Sequence, residues 1–353
     1  MKALILSCET GGGYTDISVA VKEKLEDHGH EVTLFDLHSQ KGDSSGGFLR
    51  RRSGAQTESD NELMVQQYLE ENSFDVIIAT HVVSAVLLSV LRGSLVPFPN
   101  VIHVASDYTC VPFIEDTLCD YYVIPSQKLT AEYCRRGILR EKIFPLGIPV
   151  RTPFLTGISR DEARAKCGLV ENAYHILLAA EGLSGRRVRR TVKLLQTYLG
   201  QNPKARLIIF GMRKGLYERL NAKYKNDERI TLWWELPEPA MYMRACDVMI
   251  SNAYGLSSTE AAVLGTALIQ YAPATGCERH NAEFFTRYGM SIAVRRPGNG
   301  LLQALRMLED AAVREDMIKA QHFHISQLAA VEIADIAEMA ATSVDTDQAG
   351  ALT

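Results

Sequence analysis

The chain has 353 residues, a formal net charge of −4, 46% hydrophobic and 23% charged residues. That length exceeds one ordinary core, so two domains are expected. The balance is that of a soluble globular protein. It offers no global basic field for nucleic acid, and no apolar run reaches the roughly 18 residues that a membrane span needs.

Taken in chain order, Ala3–Ser7 reads as a buried strand, too short in its apolar part for a signal peptide. A glycine-rich loop follows (Gly11, Gly12, Gly13), then a helix over Asp16–His28, apolar at Ile17, Val21 and Leu25, and a strand over Glu31–Leu37. Gln40–Asp60 is polar, rich in Gly, Ser and Arg, and is expected to be mobile. Helix Asn61–Glu71, strand Asp75–Thr80, helix Ser84–Arg92, strand Asn100–Ala105 and strand Tyr121–Pro125 continue the alternation through Lys142–Pro145. Gly147-Ile148-Pro149-Val150 closes this first series. Arg151–Leu169 then serves as linker and capping helix.

A second series has strands at His175–Ala179, Arg206–Phe210, Ile230–Trp233, Val248–Ile250 and Ala267–Tyr271. Helices lie at Val188–Leu199, Leu216–Lys223, Pro239–Ala245, Ser258–Gly265 and Asn281–Tyr288. Leu301–Ala341 is helical. Domains are therefore expected over 1–150 and 151–341, with a frayed tail over 342–353. The fold class is α/β: two doubly wound, Rossmann-like domains with parallel sheets, ligands binding in an interdomain cleft.

Seven cysteines (Cys8, Cys110, Cys119, Cys134, Cys167, Cys246, Cys277) are scattered without a C-x-x-C pair. Free thiols in a reducing cytosol fit this better than disulfides or zinc. Basic clusters occur at Arg50-Arg51-Arg52, Arg135-Arg136, and Arg186-Arg187 with Arg189-Arg190. Each is read as a solvated face, although the first is also suited to anionic lipid headgroups.

The most telling stretch is Gly255-Leu256-Ser257-Ser258-Thr259-Glu260-Ala261-Ala262 after the Asp247–Ile250 strand. A helix start offers unpaired N–H groups and a partial positive charge, which suit a phosphate. A carboxylate one turn inside, Glu260, suits the hydroxyls of a ribose. A capped helix without a ligand also fits Ser-Ser-Thr-Glu taken alone. A second polar turn, Gly276-Cys277-Glu278-Arg279-His280-Asn281 before Ala282, Phe284 and Phe285, favours the nucleotide diphosphate reading. Trp233 and Trp234 are candidates to flank a uracil; exposed aromatics with no ligand fit equally well.

These loops, with Asp107-Tyr108-Thr109-Cys110-Val111-Pro112-Phe113, Cys119-Asp120-Tyr121-Tyr122-Val123-Ile124-Pro125 and Gly147-Ile148-Pro149, resemble the monogalactosyldiacylglycerol synthase and processive diacylglycerol glucosyltransferase family, of GT-B fold. The resemblance runs from Ala3 to about Asp335. It implies hexose transfer from a UDP-sugar to a lipid hydroxyl, usually diacylglycerol, at the inner membrane surface by a cytoplasmic, peripheral protein. It implies no cofactor and no metal. Residue by residue, Glu260 matches the ribose carboxylate, while Gly255, Leu256, Ser257 and Ser258 match the diphosphate loop. Gly276, Glu278 and Asn281 match the donor-sugar motif, and Asp107 matches an Asp at a strand end near the acceptor. Asp107 is the candidate base, against a structural hydrogen bond at a strand end. His81 is second, where a satisfied strand-end histidine is the better fit.

The chain also departs from that family. Tyr14 stands where the first loop usually carries a histidine, and tyrosine is a poor base near neutral pH. Glu181, in Ala179-Ala180-Glu181-Gly182-Leu183-Ser184-Gly185, would repel a diphosphate unless it points away. Asn252-Ala253-Tyr254-Gly255 lacks the usual cation and one glycine. The Gln40–Asp60 segment is short, which weakens support for a lipid acceptor. Two readings follow: an active transferase with an altered donor or acceptor, or a degenerate relative that binds a ligand or protein without turnover. A UDP-sugar epimerase would need acid and base carboxylates that cannot be placed, and Gly11–Gly13 lacks the G-x-G-x-x-G spacing of an NAD site. The oligomeric state stays open.

Overall fold

A computed structural model describes residues 1–8, 14–37, 54–93, 98–155, 157–296 and 298–350, with side chains except at 14–15, 54–60 and 343–350. The chain forms two compact units, 1–152 with 327–353, and 153–326.

The first unit holds β1 (Lys2–Ser7), α1 (Tyr14–Asp27), β2 (Glu31–Asp36), α2 (Gly54–Glu71), β3 (Val76–Ala79), α3 (Val82–Leu91), β4 (Asn100–Val104), β5 (Tyr121–Val123), α4 (Thr130–Arg135) and β6 (Ile143–Phe144). Its sheet runs β2-β1-β3-β4-β5-β6, and every pairing is parallel. Leu4, Ile5 and Leu6 on β1, and Ile77 and Ile78 on β3, are fully buried. Continuous apolar runs of this kind are what a sheet covered on both faces requires.

The second unit holds α5 (Arg160–Lys166), β7 (Tyr174–Ala179), α6 (Gly185–Gln201), β8 (Ala205–Phe210), α7 (Lys214–Tyr224), β9 (Ile230–Leu232), α8 (Pro239–Ala245), β10 (Val248–Ser251), α9 (Gly255–Leu264), β11 (Ala267–Tyr271), α10 (Gly276–Arg287), β12 (Ile292–Val294), α11 (Asn299–Met307) and α12 (Ala311–His324). Its parallel sheet runs β12-β11-β10-β7-β8-β9. The order reverses between β7 and β10, so their carboxyl ends flank a topological switch point, where open α/β sheets bind ligands. Behind it, Asp247 Oδ2 accepts from Arg164 Nη2 at 2.7 Å and from the His175 N–H at 2.8 Å, fixing α5 to the amino end of the sheet.

The final helix, α13 (Ala329–Gly350), packs on α1, β3 and β4 of the first unit. Ala330, Ile333, Ala334 and Ala337 form its buried stripe, and Asn100 Nδ2 donates to Ala340 O at 2.8 Å. The sequence reading assigned residues through 341 to the second domain and expected fraying from 342. The backbone instead stays helical to Gly350 and clusters with residues 1–152. Gly54–Asp60, read as part of a mobile polar stretch, form the first turns of α2. α4 falls where no helix was expected.

Candidate functional site

At the carboxyl end of β7, Ala180–Ser184 meets the loop after β10. Asn252 Nδ2 donates to Glu181 O at 2.6 Å. Gly182 has φ 69°, and a Cβ there would lie 2.4 Å from both Asn252 Nδ2 and Tyr254 Oη. Only glycine lets these two side chains close over the turn. Glu181 leans the other way. A Cβ on Gly211, just past β8, would sit 2.4 Å from Glu181 Cγ. Its side chain therefore lies toward β8, whereas α9 follows β10 on the opposite side of β7. There it lines a cleft of about 370 Å³ with Phe210, Gly211, Met212, Trp234 and Pro239. Trp234 is 45% exposed and carries Lys214 Nζ 5.7 Å from its ring centroid. Trp233 is half-buried and turned edge-on to Tyr242 instead.

α9 starts at Gly255, three residues before the expected Ser258. Tyr254 is its N-cap in extended backbone, and the cap side chain makes no bond to the first turn. The Ser258 N–H already donates to Tyr254 O at 3.1 Å. Gly255, Leu256 and Ser257 therefore present N–H groups without an intrahelical acceptor. Ser257 is half-buried, and Glu260, 9% exposed, follows it by three residues, so both lie on one face. Ser258 does not join them. It is fully buried and accepts from Gln270 Nε2 at 2.9 Å, while Gln270 Oε1 accepts from Ser291 Oγ at 2.7 Å. Its hydroxyl belongs to the packing of α9 on β11, not to the diphosphate face expected of it.

The second motif is also partly architectural. Thr275 Oγ1 caps α10 by accepting from the Glu278 N–H at 3.1 Å, and Glu278 Oε2 accepts from the Ala274 N–H at 2.9 Å. Glu278 is 5% exposed. Asn281, expected to hold sugar hydroxyls, is fully buried, with Nδ2 donating to Ala253 O at 2.9 Å. A Cβ on Gly276 would meet nothing within 4 Å.

Arg187 is a residue that the sequence reading left on a solvated face. It is half-buried in the first turn of α6. Its N–H donates to the N-cap Ser184 Oγ at 3.3 Å, and its Nη1 donates to Ala272 O at 3.4 Å. Ala272 is one of two non-glycine residues at positive φ among those described. A guanidinium thus ties α6 to the loop after β11, near the loop that lost its usual cation. The signal was its place one turn after a strand-end loop.

In the first unit, His81 and Asp107 follow the adjacent strands β3 and β4. His81 caps α3, its Nδ1 accepting from the Val83 N–H at 3.1 Å. In the neutral ring the proton then sits on Nε2, so His81 has no basic nitrogen left for an acceptor proton. Asp107 is 8% exposed, and Ser106 Oγ donates to its Oδ2 at 3.3 Å. The turn after it is held by Glu132 of α4, whose Oε1 accepts from Thr109 Oγ1 at 3.1 Å and from the Cys110 N–H at 3.0 Å. Cys119–Tyr122 is scaffold: Tyr122 Oη accepts from the Cys119 N–H at 3.1 Å, and Asp120 Oδ2 accepts from the Val101 N–H at 2.8 Å. Gly11, Gly12, Gly13 and the Tyr14 side chain lie outside the described residues.

Residues 51–150, which include both of these motifs, match the family described as monogalactosyldiacylglycerol (MGDG) synthase. Over those residues this chain resembles that family. It is similar to the processive diacylglycerol beta-glucosyltransferase of Bacillus pumilus (strain SAFR-032), 25% identical over 253 residues, 70% of this chain and 64% of that protein. The enzyme of that name from Bacillus licheniformis is 28% identical over 224 residues, 62% of this chain and 57% of that protein. The matches thus span less than two thirds of these relatives. Among solved structures, Acinetobacter baumannii MurG has a TM-score of 0.67 at 16% identity, covering 96% of this chain and 100% of that one. UDP-GlcNAc 2-epimerase from Neisseria meningitidis, bound to UDP-GlcNAc, has 0.66 at 13%, covering 95% and 99%. WaaG, a glycosyltransferase of lipopolysaccharide biosynthesis, has 0.61 at 15%, covering 96% and 99%. The fold is GT-B, shared by transferases and epimerases, so fold alone does not choose between them.

Proposed function

We propose that this chain transfers a hexose from a UDP-sugar to an acceptor hydroxyl, with a diacylglycerol-like lipid as the acceptor class. The observation that carries this is the start of α9. Its first three N–H groups have no intrahelical acceptor, and Ser257 and Glu260 share one face of that first turn. In this reading those N–H groups and Arg187 receive the diphosphate. Glu260 binds the ribose, and the cleft at Trp234 takes the uracil. Glu278 and Gly276 border the sugar, and Asn281 positions the loop rather than touching the ligand.

Asp107 is the proposed base. Its carboxylate takes the acceptor proton, and the acceptor oxygen bonds to the anomeric carbon. The bond from that carbon to the diphosphate oxygen breaks, with its electron pair leaving on UDP. The helix dipole and the guanidinium offset the charge that develops there, which is the role a metal fills in other transferases. No cofactor enters this scheme. No helix among the described residues is long and apolar enough to cross a membrane. A lipid acceptor would be met by peripheral attachment to the inner membrane face.

The test is calorimetric titration with UDP, UDP-glucose and UDP-galactose, followed by turnover on diacylglycerol vesicles. Saturable UDP binding that Glu260→Ala weakens, and transfer that Asp107→Asn abolishes while sparing UDP binding, are expected. Well-folded protein that ignores millimolar UDP would sink the reading and leave a binding module without turnover.

A further inference from the structure

A second cluster of chemistry lies in the first unit, where α1 ends. α1 ends in a left-handed glycine cap. Gly29 has φ 83°, its N–H donates to Glu26 O at 2.9 Å, and the His30 N–H donates to Leu25 O at 3.0 Å. This cap fixes the backbone on both sides of Gly29, so His28 and His30 are presented together, ring centroids 6.3 Å apart. The third partner comes from the far end of the sequence. Glu338 lies on α13 beside the buried Ala334 and Ala337, where that helix packs on α1. Its Oε1 is 2.9 Å from His28 Nδ1 and 2.8 Å from His30 Nε2. The three donor atoms all lie within 4.8 Å of one another.

We propose that His28, His30 and Glu338 form a zinc site that clips α13 to the turn between α1 and β2. Two imidazole nitrogens and one carboxylate oxygen, without thiolate, are a donor set that zinc takes readily. Bonds of about 2.0–2.1 Å in a tetrahedral site hold donors roughly 3.3 Å apart. The two N···O separations open to that by about half an ångström, and the two ring nitrogens, within 4.8 Å of each other, adjust to the same spacing. The side chains of His28 and Glu338 are 31% and 43% exposed, so both have room to move and a fourth position is open to water. Metal on His30 Nε2 puts the ring proton on Nδ1. The Met1 α-amino group, 3.4 Å from that atom, then turns to solvent, and so long a contact costs little to lose. None of its three ligands is a residue assigned to transfer, so it stands or falls apart from that reading.

A metal-free explanation uses the same atoms: both rings donate to one carboxylate oxygen. Titration separates the two. The full chain, stripped with a chelator, is titrated with Zn²⁺ by calorimetry and with Co²⁺ by absorption, and melted with and without Zn²⁺. Expected are one equivalent of tight Zn²⁺, a higher melting temperature with the metal, and a Co²⁺ spectrum without thiolate charge transfer. His30→Ala and Glu338→Gln should each lose that equivalent and the thermal shift while staying folded. No saturable uptake by the parent chain, uptake that survives both variants, or thiolate bands from the seven cysteines would each overturn the proposal.

Discussion

The side-chain amide of Asn281 donates to the backbone oxygen of Ala253 across 2.9 Å, from a position with no solvent exposure. The bond links the second turn of α10 to the loop that launches α9. It makes Asn281 a strut for the candidate phosphate loop. Asn281→Ala removes the donor and leaves a buried carbonyl unmatched, at about 1–3 kcal/mol. Denaturant unfolding should show that loss, and UDP affinity should fall with it. Asn281→Asp, which sets an acceptor against an acceptor, should be worse on both counts. A variant of unchanged stability that loses only sugar discrimination would return Asn281 to the ligand.

Arg187 gives the second prediction. Charge-assisted hydrogen bonds contribute about 1.5–3 kcal/mol, so Arg187→Ala should weaken UDP binding by roughly ten- to a hundredfold. Uridine, which lacks the diphosphate, should bind as before. Arg187→Lys should recover part of the loss, because the charge returns without the planar fork. Calorimetry with the two ligands reads this directly. Equal losses for UDP and uridine would mean that Arg187 only braces Ala272.

Glu181 and Gly182 make a paired prediction with opposite signs. Glu181 rests against Gly211 on the β8 side, so Glu181→Gln should leave UDP binding within about twofold, a difference near 0.4 kcal/mol. Gly182→Ala is different: its φ of 69° is strained for alanine, and the new Cβ meets Asn252 Nδ2 and Tyr254 Oη at 2.4 Å. The loops must part, costing about 1–3 kcal/mol and most of the nucleotide affinity. A large gain in UDP affinity from Glu181→Gln would show that the carboxylate faces the phosphates after all.

Much of this architecture was legible in the sequence because buried parallel strands are apolar throughout and the alternation with helices is regular. Ser7, Ser251 and Tyr271 end their strands close to where the sequence placed them. What was hidden was direction. Ser257 and Ser258 are neighbours, yet one is half-exposed and the other points at Gln270. A glutamine in the middle of a buried strand was the available signal that a polar partner lay opposite it. Helix starts were missed at Gly255 and Gly276 because glycine carries no helical preference. The stripe on α13 says that the helix is covered but not by which unit, since Ala330, Ile333, Ala334 and Ala337 fit either core. Arg187 looked like surface charge because its acceptor, Ala272 O, is a backbone atom 85 residues away.

His103 carries the last prediction, about stability and pH. It sits on β4, 1% exposed, and neither ring nitrogen finds a hydrogen-bond partner among the described residues. Burial first, and the nearby His81 second, push its pKa down from 6.5 to about 4, against a smaller upward pull from the Ala79 backbone, which lies too far or too oblique for a full hydrogen bond. The unfolded chain takes up this proton near pH 6.5, and the folded chain resists it until about pH 4. The unfolded state therefore binds more protons across that window, and stability falls as pH falls through it. The slope from this one group approaches about 1.4 kcal/mol per pH unit. His103→Phe keeps the ring and its edge-on packing against Tyr122 but removes the titration. Denaturant melts between pH 7 and pH 4 should show a shallower decline for the variant, by up to about 3 kcal/mol at the acid end. Parallel curves for the two proteins would mean that His103 charges inside the fold, with a partner that protonation itself recruits.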